Sequence, residues 1–154
     1  AMSAYNLANV IYRQEGDLIK AEELARESLR ISTLIYGSNH HNESKNCILL
    51  SRILVAQGNF GDETRGLSER FLAISIRDYG PDGTNTAIGN HHLGELYRRL
   101  ALKENTVGSR RTQLLLAKPH YEETLRIYSK IYGRTHPDTV EVSSRLSDVL
   151  RKLS

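Results

Sequence analysis

Six histidines, one cysteine and several adjacent carboxylates are the side chains in this sequence that could do chemistry. The histidines include the neighbouring pairs His40-His41 and His91-His92. Zinc is gripped by histidines at i and i+4, which share one helix face, whereas neighbours on a helix point about 100° apart. The pairs therefore predict no metal site, and nothing in the sequence implies a cofactor. Glu22-Glu23, Asp62-Glu63 and Glu122-Glu123 fall in helical patterns as surface carboxylates, with nothing to raise a pKa for general acid or base work. No nucleophile elbow, phosphate loop or metalloprotease motif occurs, so no catalytic residue is assigned and no enzyme is expected. Cys47 sits on the apolar face of a helical pattern with no second cysteine to pair with, which suits a core position and a reducing compartment. Asn42-Glu43-Ser44 fits a glycosylation sequon, but no secretory signal accompanies it.

The elements that carry these residues follow a repeat. Gly37, Gly80 and Gly133 each stand thirteen residues ahead of a leucine, at Leu50, Leu93 and Leu146. Each glycine follows a tyrosine (Tyr36, Tyr79, Tyr132) at the end of an apolar helical pattern, where a chain leaving a helix needs a residue that tolerates positive φ. Short polar connectors follow: Ser38 to Glu43, Pro81 to Thr86 and Arg134 to Thr139. They are rich in residues that cap or start helices. His40 and His136 occupy matching connector positions, where a structural hydrogen bond or a cap accounts for them. With Leu7 included, the equivalent leucines advance by 43, 43 and 53 residues, an extra ten in the third unit. Periods of this size indicate stacked helix pairs.

Seven helices are predicted: 4–14, 18–36, 42–57, 60–79, 84 to about 102, about 109 to 132, and 137 to about 153. Gly16-Asp17 and Gly58-Asn59 supply the tight turns inside the first two pairs. Apolar residues at helical spacing (Cys47, Leu50, Leu54; Leu93, Leu96, Tyr97, Leu100; Val142, Leu146, Val149, Leu150) face the partner helices. Beside the key leucines, Ala8, Ser51, Gly94 and Ser147 are small enough for a partner backbone to come close. The composition, 39% apolar and 25% charged, is that of a globular domain with a continuous core. No apolar run approaches the ~20 residues that span a bilayer, so no membrane span is expected and the protein is placed in the cytoplasm. The opening Ala1-Met2-Ser3 resembles a cloning scar, and the natural protein is expected to be longer.

These residues resemble the tetratricopeptide repeat, in the longer form found in kinesin light chains and related adaptors. Tyr5-Asn6-Leu7-Ala8-Asn9, Gly16-Asp17 and Ala21-Glu22 look like its first helix, turn and second helix. His136-Pro137-Asp138-Thr139 after Tyr132-Gly133 is similar to its inter-repeat connector, and Ala117 to Leu125 resembles its second-helix segment. Departures are Glu15 as a one-residue insertion, a further insertion near Asp62 to Thr64, Gly83-Thr84 in place of His-Pro, and the segment 101–112. The resemblance implies one all-α domain over 1–154, a right-handed α-solenoid of three helix pairs plus a C-terminal capping helix. The repeats cover 4–41, 42–83 and 84–136, and the capping helix covers 137–153.

The function implied by the resemblance is binding. Members of the family hold peptides of partner proteins on a concave surface made by the first helix of each repeat. In this sequence that side offers Tyr5, Asn9, Tyr12 and Arg13; Lys45, Ile48, Arg52 and Val55; His91, Glu95, Arg98 and Arg99; and Glu141, Ser144, Asp148, Arg151 and Lys152. Basic residues outnumber acidic ones there, which points to an acidic or carboxylate-bearing peptide. Arg52, Arg98 and Arg99 would be its charge partners and Tyr5, Tyr12, Ile48 and Val55 its apolar contacts. The alternative is that these arginines are solvated or pair with neighbours such as Glu95. The segment from Ala101 to Leu116 carries three consecutive leucines, which cannot share one helix face. It serves either docking and self-association or simply lengthens both helices. A nucleic-acid partner is disfavoured, since a net charge of +3 and a pI near 9.1 are mild and the cations are dispersed.

Overall fold

The computed structural model describes residues 2–154. Seven α-helices and no strands are found among them: α1 (Met2–Arg13), α2 (Leu18–Tyr36), α3 (His41–Ala56), α4 (Asp62–Tyr79), α5 (Thr84–Lys103), α6 (Val107–Tyr132) and α7 (Pro137–Leu153). They form two compact units, residues 1–74 and 75–154, with the boundary inside α4.

Local signals set the helix ends. Gly37, Gly80 and Gly133 all adopt positive φ, at 81°, 79° and 86°, and the three preceding helices stop there. The N–H groups of Gly37 and Gly133 reach back to the carbonyls of Thr33 and Ser129, satisfying acceptors that the helix itself cannot. At the next start, the Nδ1 atoms of His40 and His136 accept from the N–H groups of Asn42 and Asp138, both at 3.2 Å. The two rings stack on Tyr36 and Tyr132, at centroid distances of 4.9 and 4.6 Å. The tyrosine that ends one helix therefore seats the histidine that caps the next. The middle connector departs from this pattern because a Cβ at Gly83 would lie 2.8 Å from Cβ of Tyr79. No side chain caps α5; instead Thr86 Oγ1 donates to the Gly80 carbonyl at 2.7 Å.

Within the pairs, Asp17 caps α2 by accepting from Ile19 and Lys20, both at 3.0 Å. Glu15, the expected insertion, takes a left-handed φ of 51°, and Gly16 instead supplies closeness, its missing Cβ being 3.3 Å from Ile11. The extra residues of the third pair lengthen both of its helices, leaving only 104–106 as connector. Of its three leucines, Leu114 is buried while Leu115 and Leu116 are exposed.

In unit 1, α2 packs on α1 and α3, and α3 meets α4 through Ser51, whose hydroxyl lies 2.7 Å from that of Ser68. Ala8, Ala21, Ala25, Cys47, Leu50, Ile53 and Leu54 form its buried centre. In unit 2, α6 packs on both α5 and α7 around Leu93, Leu96, Tyr121, Ile127, Val142 and Val149. Of the four repeat leucines, Leu50, Leu93 and Leu146 are buried as the spacing predicts. Leu7 is half exposed, because α1 is flanked by fewer helices than α3.

Candidate functional site

In unit 1 the predicted face is carried by α1 and α3. Tyr5, Asn9 and Tyr12 are partly exposed and Arg13 is exposed; on α3, Lys45 is exposed and Arg52 and Val55 are partly so. Ile48 corrects the sequence prediction, since it is 7% exposed and belongs to the core. Helix α3 lies against both α2 and α4, and ten of its sixteen residues are buried, so its inward arc is wider than one apolar stripe. Arg13, Lys45 and Arg52 form no ion pair among the described residues. This face thus combines phenol rings, one aliphatic side chain and three cations free to meet an anion.

Unit 2 spends its cations differently. Glu95, on α5, is bonded by Arg98 at 2.9 Å and receives the Tyr121 hydroxyl at 2.6 Å; Arg145 of α7 lies at 3.5 Å and Arg99 at 3.9 Å. Burial alone would raise the Glu95 carboxyl, but the bonds from Arg98 and Tyr121 and the charges of Arg98 and Arg145 outweigh it and hold the group below its ordinary 4.5. The bond to Glu95 raises Arg98 in turn, and burial together with Glu95 raises the Tyr121 phenol. With its side chain only 14% exposed, Arg98 is an internal partner of α5, while Arg99 keeps 46% exposure. One repeat later Asp148 holds Arg151 and Lys152 in the same way. His91 is half-buried beside Tyr121, with ring centroids 6.2 Å apart.

Sequence reasoning missed two features. Arg145 reaches Glu95 from another helix, and no spacing within one helix signals that. The other is Glu43, fully buried at the start of α3, which receives Arg70 at 3.0 Å, the Thr33 hydroxyl at 3.0 Å and the Asn39 N–H. A glutamate three residues after a helix cap is a recognisable signal, with His40 here as the cap. Burial, reinforced by Glu43, pushes the Cys47 thiol up to about 11, so it is a poor nucleophile. Among the described residues no cluster of His, Cys, Asp and Glu is arranged to hold a metal, and no helix is long and apolar enough to cross a membrane.

Unit 2 is expected to lose stability on acidification in two stages. His120, stacked on Tyr97 and 2.9 Å from Asn90 Oδ1, is pushed below its ordinary 6.5 by burial. Its contribution is complete above 6.5 and is lost as pH falls toward its lower folded value. The Glu95 contribution is complete above 4.5 and is lost further down, through its own depressed value. Thermal unfolding followed by circular dichroism across this range checks the order. His120→Gln should flatten the upper stage alone, and a curve unchanged by that variant would refute the assignment.

Residues 1–62 match the Tetratricopeptide repeat family, and residues 116–138 match a second family of the same description. Proteins named clustered mitochondria protein homolog are 26% identical over 132 residues in Aspergillus fumigatus and in Ajellomyces capsulatus. The match covers 86% of this chain but 9% and 10% of theirs. The chain thus spans about a tenth of the length of the curated relatives it matches. Among solved structures it is similar to a Podosopora anserina protein of nearly identical, kinesin light chain-type TPR-like repeats. That likeness has a TM-score of 0.80 and 20% identity, covering 98% of this chain and 65% of the other. BtubC (BKLC) from P. vanneervenii is similar at a TM-score of 0.75 and 20% identity, over 97% of this chain and 54% of the other. The repeat rhythm, the matched family segments and the likeness of fold agree: residues 1–62 and 116–138 carry tetratricopeptide repeats, a protein-interaction module, and the fold is an all-α solenoid similar to that of kinesin light chain-type repeats.

Proposed function

We propose that this protein-interaction module binds an acidic segment of a partner protein on its first-helix face, and that the part of the face on α1 and α3 reads the charge. The observation that carries this reading is the contrast between cations. Among the described residues Arg13, Lys45 and Arg52 have no carboxylate partner, whereas Arg98 is held by Glu95. A guanidinium already bonded to an internal acid gains little from a second one, so Arg52 and its neighbours are the better anchors. Tyr5, Tyr12 and Val55 supply apolar area beside them and Asn9 a polar group, while His91, Glu95 and Arg99 are the corresponding residues on α5 of unit 2. In this reading the repeats 4–41, 42–83 and 84–136 and the capping helix 137–153 serve as one interaction domain of a cytoplasmic adaptor. The likeness of fold to kinesin light chain-type repeats favours a role such as joining a motor to its cargo.

The test is fluorescence anisotropy with a dye-labelled peptide of alternating glutamate and leucine, amidated at its C-terminus. Reversing two cations together, Arg13→Glu with Arg52→Glu, is expected to weaken binding by about tenfold or more. Added salt should weaken the parent as well. Equal affinity for parent and reversed chain, with the helical signal unchanged, would overturn the reading.

A further inference from the structure

Two of the three connectors between repeats are built alike. In each, a histidine ring lies on the tyrosine that ends one helix, and its Nδ1 accepts the N–H of the second residue of the next helix. The pairs are His40 on Tyr36 with Asn42, and His136 on Tyr132 with Asp138. Serine, threonine, asparagine and aspartate, the usual caps, accept this bond throughout the range near neutral pH. An imidazole accepts it only while Nδ1 carries no proton. Protonation turns the acceptor into a donor and puts a positive charge at the helix end where the backbone dipoles are already positive.

The two sites differ in what a protonated ring meets. Beside His136, a carboxylate oxygen of Asp138 lies 3.9 Å from Nδ1, and Pro137 fixes the first residue of α7 at a helical φ whether or not the cap is made. Arg134 is the other charge of that connector. Beside His40, Asn42 stands where His136 has Asp138, and His41 stands where it has Pro137. The remaining ionisable groups around His40 are Tyr36 of α2, Glu43 of α3 and Arg70 of α4. Glu43 is fully buried, with its oxygens engaged by Arg70, Thr33 and the Asn39 N–H. No carboxylate pairs with His40 among the described residues.

We propose that the His40 connector is a proton-operated latch on the start of α3 that opens on mild acidification, while the His136 connector stays closed because Asp138 meets its charge. When His40 takes a proton from water, the bond from the Asn42 N–H breaks and the new Nδ1–H turns to solvent. When His136 does so, the lost bond from the Asp138 N–H is replaced by an ion pair with the Asp138 carboxylate. The middle connector, Pro81-Asp82-Gly83, holds no histidine and does not respond. The latch sits on the helix that carries Lys45 and Arg52, yet it stands whether or not that face binds a peptide.

The experiment measures amide hydrogen exchange by nuclear magnetic resonance on the whole 154-residue chain, between about pH 8 and about pH 5, where imidazoles change charge. After correction for the intrinsic pH dependence, exchange at Asn42 is expected to rise about fivefold on acidification relative to amides at the start of α5, while exchange at Asp138 stays level with them. His40→Asn keeps a cap that takes no proton and should abolish the response. Asn42→Asp gives His40 the neighbour that His136 has and should lower the response to the level seen at Asp138. His40 is exposed and Asn42 half-buried, so these variants keep the fold, which circular dichroism checks. An equal response at Asn42 and Asp138, or a response at Asn42 that survives His40→Asn or Asn42→Asp, would overturn the proposal. So would imidazole nitrogen signals that place the proton of the neutral His40 ring on Nδ1. Unchanged peptide affinity after charge reversal at Arg13 and Arg52 removes the binding reading alone, so the two fail separately.

Discussion

Replacing Tyr121 with alanine should destabilise unit 2 by about 3–5 kcal/mol, the range seen when a large buried ring is removed. The ring is fully buried on α6 and lies against Gly94 of α5, where even a single added Cβ would come within 3.2 Å of it. No neighbouring side chain can fill that volume without shifting a helix. The hydroxyl contributes separately, since it donates to Glu95 at 2.6 Å, and that carboxylate also draws in Arg98 and Arg145. Tyr121→Phe divides the two effects: it keeps the ring and is expected to cost about 1–3 kcal/mol for the lost bond to a charged acceptor. Urea unfolding measures both variants. A cost below about 1 kcal/mol for Tyr121→Ala would show that the contact of α5 with α6 does not depend on this ring.

Glu43→Ala is the second large loss, at about 3 kcal/mol from unit 1. The carboxylate is fully buried and receives three donors: the Arg70 guanidinium, the Thr33 hydroxyl and the Asn39 N–H. Those donors come from α2, from the connector after it and from α4, so one side chain ties three parts of the unit to the start of α3. Removing one member of a fully buried ion pair costs about 3–5 kcal/mol. Here Arg70 is 43% exposed and returns to water, which places the expected loss at the lower end. Asn39 adds to it, because its left-handed φ of 66° is held in place by this bond. Glu43→Gln retains an acceptor of the same shape and should lose less than Glu43→Ala. Hydrogen exchange locates the effect, with amides at the start of α3 losing protection first. Equal stability of parent and alanine variant would refute this role for Glu43.

These two residues mark where sequence reasoning succeeded and where it stopped. Leu50, Leu93 and Leu146 were placed in the core by spacing alone, and the small residues at Ala8, Ser51 and Gly94 stand where helices approach closely. The same spacing puts Glu43, Thr86 and Thr139 at equivalent positions, all buried. Nothing in it says that the first of the three is a carboxylate with partners on two other helices. The candidate site followed the same division. Pairs within α5, such as Glu95 with Arg98, are legible because i and i+3 share a face. The burial of Ile48 and the arrival of Tyr121 and Arg145 at Glu95 depend on how neighbouring helices pack.

The sequence by itself determined the helices and their ends, because stops and caps are short-range physics: a glycine at positive φ after a tyrosine, a histidine stacked on that tyrosine, a proline at the first position of α7. It also carried the resemblance to the tetratricopeptide repeat that residues 1–62 and 116–138 match, since the rhythm of those signals is the repeat. Only the tertiary structure decided which cations remain free to bind a partner. A charge is available or held according to what lies within a few ångströms of it: in unit 2 Tyr121 of α6 and Arg145 of α7 converge on the Glu95 that holds Arg98 within α5, while in unit 1 no helix brings an acid to Arg52 among the described residues.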